Sequence, residues 1–144
     1  MAKDELKILI GLHRTATAVD RQTARAVAAF GLTLGQFAVL EALYHKGDLT
    51  VGQVQEKILS TSGTIPLIVN NLEKRGLLER RQDSRDKRRC ILHLTPAGEQ
   101  LILQAMPVNE RCILEKMACW SDKEKAQLLA LLQRFRDAQR QDAP

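Results

Sequence analysis

A short basic segment carries the strongest chemical signal in this chain. Between Lys74 and Arg89 the sequence reads KRGLLERRQDSRDKRR, with eight Lys or Arg against three Asp or Glu. Its net charge of +5 equals the formal charge of all 144 residues, so the rest of the chain sums to zero. Cations concentrated in this way would bind the repeated negative charges of a polymer. The sequence therefore predicts a polyanionic partner at this segment.

The distal part of the segment, QDSRDKRR, is polar throughout and is typical of a loop. Arg85, Lys87 and Arg88 would project from it and could follow phosphates or enter a minor groove, where negative potential is concentrated. Asp83 and Asp86 lie among these cations, in an exposed setting that suits neither a general acid nor a metal ligand. We expect the two carboxylates to shape the loop, and Arg88 could pair with either of them.

Catalytic and metal-binding patterns are absent from the sequence. It has no Gly-rich phosphate loop, no nucleophile motif and no close carboxylate pair in a plausible pocket context. His13, His45 and His93 lie far apart and have no partner at metal-ligand spacing. We therefore predict no enzymatic activity, no metal site and no cofactor.

Capping residues indicate where the helices begin. In a reciprocal capping box, a Ser or Thr side chain and a Gln or Glu three residues later each accept a hydrogen bond from the other's backbone amide. Three such boxes are present, at Thr33 with Gln36, Thr50 with Gln53 and Ser121 with Glu124. Thr95 precedes Pro96, whose fixed φ suits a first helical position. Apolar spacing from about residue 4 to residue 30 adds a long first helix that ends at Gly31.

A further helix directly precedes the basic segment. Its buried stripe follows the i, i+3, i+4, i+7 pattern, and Gly76 ends it. The stripe consists of Ile65, Ile68, Val69 and Leu72. The opposite face carries little charge, unlike an ordinary solvent-facing surface. This face and its flanks comprise Gly63, Thr64, Pro66, Leu67, Asn70, Asn71 and Lys74.

The start of this helix depends on the cap. With Gly63 as the cap, Pro66 falls where an amide would be unpaired anyway, whereas with Ser62 as the cap one helical bond is lost. Pro66 and Leu67 also place two apolar groups on the outer face, which could contact thymine methyl groups.

After this helix, the sequence predicts two strands and then further helices. The runs Leu77–Arg81 and Cys90–Leu94 contain β-compatible residues and predict a hairpin. Helix, short helix, helix and basic hairpin make a helix-turn-helix with a wing, whose second helix fits the major groove. The predicted fold is therefore mainly α with a small β-hairpin. Pro107 should kink or locally break the helix after Thr95.

The last helix, from about Asp122 to Arg140, has a broader apolar face than a terminal helix on a small monomer can easily cover. The face consists of Leu128, Leu129, Leu131, Leu132 and Phe135. It favours a dimer.

Length and composition predict one structural unit in the cytoplasm. No segment approaches the roughly 20 apolar residues of a membrane helix, and the N-terminus lacks the apolar core of a signal peptide. The three cysteines are odd in number and widely spaced, which fits a reducing compartment. Cys112 and Cys119 would share a helix face as small buried hydrophobic residues, while a redox switch at Cys90, Cys112 or Cys119 is an alternative.

Three stretches, LTLGQFAVLEAL, SGTIPLIVNNLEKRGLLERR and DSRDKRRCILHLTPAGEQL, together resemble the MarR family of winged-helix regulators. Asp83, Arg85 and Arg88 match that family's D-x-R-x-x-R pattern in the wing, and the resemblance covers roughly residues 30 to 105. It implies a single unit over residues 1–144 that forms a homodimer. Residues 32–95 would be the winged-helix DNA-binding lobe, and residues 1–30 and 96–144 the helical dimerisation region.

Residues and resemblance together predict a sequence-specific transcriptional regulator, expected to be a repressor, on a pseudo-palindromic double-stranded DNA operator. The expected DNA-binding residues are Ser62, Thr64, Pro66, Leu67, Asn70, Arg85, Lys87 and Arg88. The resemblance also implies release from DNA by a small phenolic or amphipathic anion held between the lobe and the dimer helices. His13, Arg14 and Tyr44 are candidate lining residues. A winged-helix module that binds another protein is a further alternative.

Overall fold

The structure is a computed structural model that describes residues 2–58 and 64–141. These residues form six helices and one antiparallel pair of strands, which confirms the predicted mainly α fold with a hairpin. The helices are α1 (Ala2–Ala28), α2 (Leu34–Lys46), α3 (Val51–Ile58), α4 (Ile65–Lys74), α5 (Pro96–Met117) and α6 (Asp122–Gln141), and the strands are β1 (Leu78–Gln82) and β2 (Cys90–Leu94).

The three predicted capping boxes are present. Before α2, Thr33 Oγ1 accepts from the Gln36 amide at 3.2 Å, and Gln36 Oε1 accepts from the Thr33 amide at 3.0 Å. The same reciprocal pair precedes α3 and α6. At α6 the hydrogen bonds from Ser121 lower the pKa of the Glu124 carboxyl. The hydrogen bonds of the Glu124 carboxylate therefore stabilise α6 at pH values above the ordinary carboxyl pKa. Their contribution is lost as the pH falls and Glu124 becomes protonated.

The chain contains two compact units, Met1–Ile113 and Leu114–Pro144. The core of the first unit is aliphatic apart from Phe37, and α2, α4 and the hairpin contribute most of it. Its fully buried members include Val39, Leu40, Val54, Ile65, Val69, Leu72, Leu92 and Ile102. In the second unit, no described residue of α6 is buried. The predicted DNA-binding lobe and dimerisation region divide the chain by role and not by compactness. That division stays a prediction.

The hairpin begins one residue later than predicted. Leu77 belongs to the turn after α4, where its amide donates to the Leu72 carbonyl at 3.0 Å. The strands then pair from Leu78 opposite Leu94 to Gln82 opposite Cys90. Leu49, between α2 and α3, exchanges backbone hydrogen bonds of 3.3 and 2.7 Å with Leu92. This bridge connects the wing to the helix-turn-helix.

The root of the wing lies against the start of α5. Thr95 donates through its amide to the Leu77 carbonyl at 3.2 Å and through Oγ1 to the Gly76 carbonyl at 2.6 Å. Its Oγ1 also accepts from the Gly98 amide at 3.1 Å, which caps α5 as predicted. Gly98 is buried at this junction.

Two expectations about the C-terminal helices are wrong. The α5 helix continues through Pro107 without a local break, with buried residues on both sides, Ala105 and Asn109, while a kink at Pro107 stays a prediction. Cys119 lies beyond the end of α5 and is exposed, so it does not share a buried helix face with Cys112, which is partly buried. Within the described residues, 2–58 and 64–141, no helix combines the length and the hydropathy of a membrane span.

Candidate nucleic-acid interface

The outer face of α4 is exposed and carries little charge. Ile65, Val69 and Leu72 are buried, so the opposite side of the helix faces outward. Four of the residues predicted to contact DNA are exposed there: Thr64, Pro66, Leu67 and Asn70. Leu67 leaves 61% of its surface exposed, although it is a large apolar residue. The face therefore offers an apolar contact as well as polar ones to a partner.

The first helical residue of α4 is Ile65, and Thr64 occupies the N-cap position. Pro66 is therefore the second residue of the helix, where a backbone amide would have no intrahelical partner, and no helical bond is lost. Ser62 and Gly63, the two predicted starts, lie outside the described residues. The role of Ser62 in DNA binding stays a prediction.

The wing loop is held by its own hydrogen bonds. Asp83 Oδ1 accepts from the Arg85 amide and Asp86 Oδ1 accepts from the Arg88 amide, both at 3.0 Å. Gln82 Nε2 donates to the Lys87 carbonyl at 2.8 Å. Backbone bonds from the Asp83 amide to Arg89 and from the Arg89 amide to Asp86 close the loop. These contacts are what wing-shaping carboxylates would make.

The wing cations extend into solvent. Arg85, Lys87 and Arg88 are all exposed. The Arg88 side chain is 94% exposed and its Nε lies 3.5 Å from Asp86 Oδ1, which makes the ion pair a weak one. The wing therefore presents three positive side chains on a hydrogen-bonded backbone, beside the outer face of α4, which carries little charge.

Two arginines of β1 point in different directions, as alternation along a strand requires. Arg81 Nε donates to Glu79 at 2.6 Å. Arg80 faces α4 and binds Glu73 and Asn70 through its guanidinium. Arg80 was not among the predicted DNA-binding residues, because a strand pattern does not show which helix its side chain will meet.

The loop geometry leads to a prediction for Asp83. We expect Asp83→Ala to lower DNA affinity about fivefold, because an untethered loop must lose roughly 1–2 kcal/mol of backbone entropy per residue on binding. Asp83→Asn keeps the acceptor for the Arg85 amide and removes a charge that repels phosphate, so its affinity should equal or exceed that of the wild type. Fluorescence anisotropy with labelled duplex DNA measures both variants. Equal losses in the two variants would contradict a shaping role.

A groove of about 400 Å³ lies within the first unit and has the size of a small-molecule site. Residues of α1, α2, α3 and α5 line it: Thr23, Leu34, Phe37, Ala38, Glu41, Ala42, His45, Lys46, Lys57, Ile58 and Asn109. Asn109 is 8% exposed, and its buried Oδ1 has no hydrogen-bond partner within the described part of the chain. Such an acceptor can be satisfied by a ligand that donates a hydrogen bond.

The candidate effector residues lie elsewhere. His13 and Arg14 are exposed, about ten residues before Thr23 on α1, and neither they nor Tyr44 line the groove. The Tyr44 ring packs edge-on against the ring of His45, which does line it. His93 Nδ1 lies 2.7 Å from Asp48 Oδ1. No group of three or more metal-ligating side chains occurs in the part of the chain that the structure describes.

Comparisons with known proteins agree with this geometry. The family model described as MarR family matches residues 32–90. The HTH-type transcriptional regulator MhqR of Bacillus subtilis is 33% identical over 134 residues, 93% of this chain and 92% of the relative.

Solved structures of regulators share the fold. One is the BpsR protein of Bordetella bronchiseptica, whose DNA binding is regulated by 6-hydroxynicotinic acid (TM-score 0.80, 23% identity, 90% of this chain and 98% of the other). Another is an organohalide-sensing transcriptional regulator with 2,4-dichlorophenol bound (TM-score 0.80, 22% identity, 93% and 80%).

Proposed function

Because this chain belongs to the MarR family, it is a DNA-binding transcriptional regulator, and we propose that it is a homodimeric repressor that a small aromatic ligand releases from DNA. The observation that supports DNA binding most directly is the exposed face of α4, with little charge, beside three exposed wing cations. A helix with this face fits the major groove, and the wing reaches the adjacent backbone. Since the relatives are regulators, we propose that the protein has no catalytic activity. We also propose that it acts in the cytoplasm.

The residues divide by role in this proposal. The outer face of α4 lies in the major groove, and the wing cations contact phosphates. The residues proposed to enter the major groove are Ser62, Thr64, Pro66, Leu67 and Asn70. The residues proposed to contact phosphates are Arg85, Lys87 and Arg88. Pro66 and Leu67 have no hydrogen-bonding side chain, so they contribute apolar contacts to bases, such as thymine methyl groups.

A second copy of the chain would cover the exposed apolar helix faces. In α1, five large apolar residues are exposed by 46 to 62%: Leu6, Ile8, Leu9, Ile10 and Leu12. In α6, Leu129, Leu131 and Phe135 are more than half exposed. These helices lie in residues 1–30 and 96–144, the proposed dimerisation region, and residues 32–95 form the DNA-binding lobe. Sedimentation equilibrium should find a dimer, and a monomer at micromolar concentration would contradict this assembly.

Selection from a randomised duplex library tests the DNA-binding proposal. A two-fold dimer should enrich a pseudo-palindrome whose half-sites lie about 34–36 Å apart, one helical turn. Footprinting of the enriched duplex should protect both half-sites. Enrichment of no sequence, or protection of a single half-site, would sink the proposal and favour the view that the winged helix binds a protein.

The groove in the first unit is the proposed effector site. It lies between α1, α5 and the helix-turn-helix, a position that agrees with the ligand site implied by the family resemblance. BpsR and the organohalide sensor respond to hydroxylated or chlorinated aromatic rings, and Asn109 Oδ1 could accept a hydrogen bond from a hydroxyl group. Lys46 and Lys57 give the groove a positive balance against Glu41, which suits an aromatic acid.

A pair of ligands tests the role of Asn109. We expect 4-hydroxybenzoic acid to bind about five- to tenfold more tightly than 4-methoxybenzoic acid, because only the former donates a hydrogen bond to Oδ1. Asn109→Leu has a similar volume and no acceptor, so the two ligands should bind it equally. Isothermal titration calorimetry measures all four combinations. A preference for the hydroxyl compound that survives in Asn109→Leu would contradict this role.

A further inference from the structure

The guanidinium of Arg80 connects the wing to α4. Its Nη1 lies 2.7 Å from Glu73 Oε1, and its Nη2 donates a hydrogen bond of 2.6 Å to Asn70 Oδ1. The Arg80 amide also donates to Glu73 Oε2 at 3.3 Å. Glu73 and Asn70 lie three residues apart on α4 and therefore on the same side of the helix. The rigid fork of one arginine reaches both side chains at once.

We propose that Arg80 is a positioning residue that determines which DNA groups Asn70 recognises. The inference rests on the proposed function, since it requires α4 to lie in the major groove. A guanidinium carries only donors, so the Asn70 atom that faces it must be the oxygen. The Nδ2 group, with two N–H donors, then remains for the DNA.

This orientation changes the base preference expected of an asparagine. An asparagine that reads adenine uses both amide atoms: Oδ1 accepts from the adenine N6 amino group and Nδ2 donates to N7. Here Oδ1 is already an acceptor for Arg80, whose positive charge also disfavours an approaching amino group. The amide is left to donate to acceptors, which guanine presents as O6 and N7 and thymine as O4. Adenine presents only N7, next to an N6 amino group that would face the Nδ2 donors and the Arg80 charge instead of a free acceptor. Asn70 therefore selects guanine or thymine rather than adenine.

Arg80→Lys tests the inference with little change in charge. A lysine ammonium can keep the ion pair with Glu73, but as a compact point charge it lacks the fork that reaches Asn70 as well. Duplexes selected with the wild type are resynthesised with each of the four base pairs at every position of one half-site, and their affinities are measured. The wild type should prefer guanine or thymine over adenine roughly tenfold at one position. Arg80→Lys should reduce that preference to less than about threefold.

Two variants of Asn70 complete the test. Asn70→Asp keeps an acceptor for Arg80 but has no donor, so it should lose the roughly tenfold preference for guanine or thymine at that position. Its added negative charge should weaken all duplexes alike, so the base profile is the readout. Asn70→Ala should abolish the preference, and adding Arg80→Lys to it should change the base profile no further. A merely structural Arg80 would alter affinity for all duplexes equally.

The outcomes separate this inference from the function on which it rests. If Arg80→Lys keeps the wild-type base profile, or weakens all duplexes by the same factor, the positioning role is wrong although the protein is a sequence-specific DNA binder. An unchanged profile in Asn70→Ala would overturn it as well. If the wild type itself prefers no duplex over random DNA, the proposed function and the positioning role both fail.

Discussion

Replacing Gly98 with alanine should destabilise the protein by about 3 kcal/mol or more. A Cβ at this position would lie 1.9 Å from the Leu77 carbonyl oxygen and 2.8 Å from Leu94 Cδ1. The oxygen belongs to the backbone and already accepts from the Thr95 amide, so it cannot move without breaking the root of the wing. The loss is large against the roughly 5–15 kcal/mol by which folded domains are stable.

Gly52→Ala is the matched control. Gly52 is an exposed residue of α3, and among the described residues its Cβ would meet only Thr50 Oγ1, at an ordinary 3.9 Å. Alanine favours helix over glycine, so this variant should equal the wild type or gain up to about 1 kcal/mol. Urea unfolding followed by circular dichroism measures the free energy of unfolding for both. A Gly98→Ala protein within 1 kcal/mol of the wild type would show that α5 can shift away from the wing root.

Removing two wing cations should weaken DNA binding by roughly a hundred- to a thousandfold at about 0.15 M salt. Arg85→Ala with Lys87→Ala deletes two phosphate contacts per wing, and a dimer has two wings. Each lost contact reduces the slope of log K against log salt by about 0.9, so the slope should fall by about 3.6 in total. Anisotropy titrations at several salt concentrations measure both the affinity and the slope.

The control must remove the same charge from another surface. Lys123 and Arg140 lie near the two ends of α6, outside the unit that contains the wing. Their double alanine variant lowers the net charge of the chain by the same amount but should leave the slope within about one unit of the wild type. Arg85→Lys, which retains the charge, should also keep the wild-type slope of log K against log salt. If the α6 variant loses as much affinity as the wing variant, then net charge rather than wing contacts drives binding.

Helix starts and the hairpin followed closely from local patterns. Thr33, Thr50 and Ser121 bind residues only three positions away, so their sequence spacing is sufficient to predict the caps. Cys90–Leu94 forms the second strand with the predicted bounds. The first strand starts one residue late because Leu77 is used to close α4, a backbone hydrogen bond that side-chain patterns do not record.

Side-chain direction was harder to predict than secondary structure. Alternation along a strand places Arg80 and Arg81 on opposite sides of β1, but only packing places the Arg80 guanidinium against Asn70, ten residues away. Cys119 has the helical spacing of a buried partner for Cys112, yet α5 ends before it. Periodicity continues across a helix end, whereas the hydrogen bonds that define the helix do not.

Residue order and local hydrogen bonding thus accounted for the helices, the winged hairpin and its concentrated positive charge, because each depends on residues a few positions apart. The contacts that make the site specific join distant parts of the chain. Gly98 meets Leu77, Arg80 meets Asn70, and the groove brings Thr23, Lys57 and Asn109 together. Those neighbours follow from how the helices pack, since burial selects the arrangement that fills the whole core rather than any one pair.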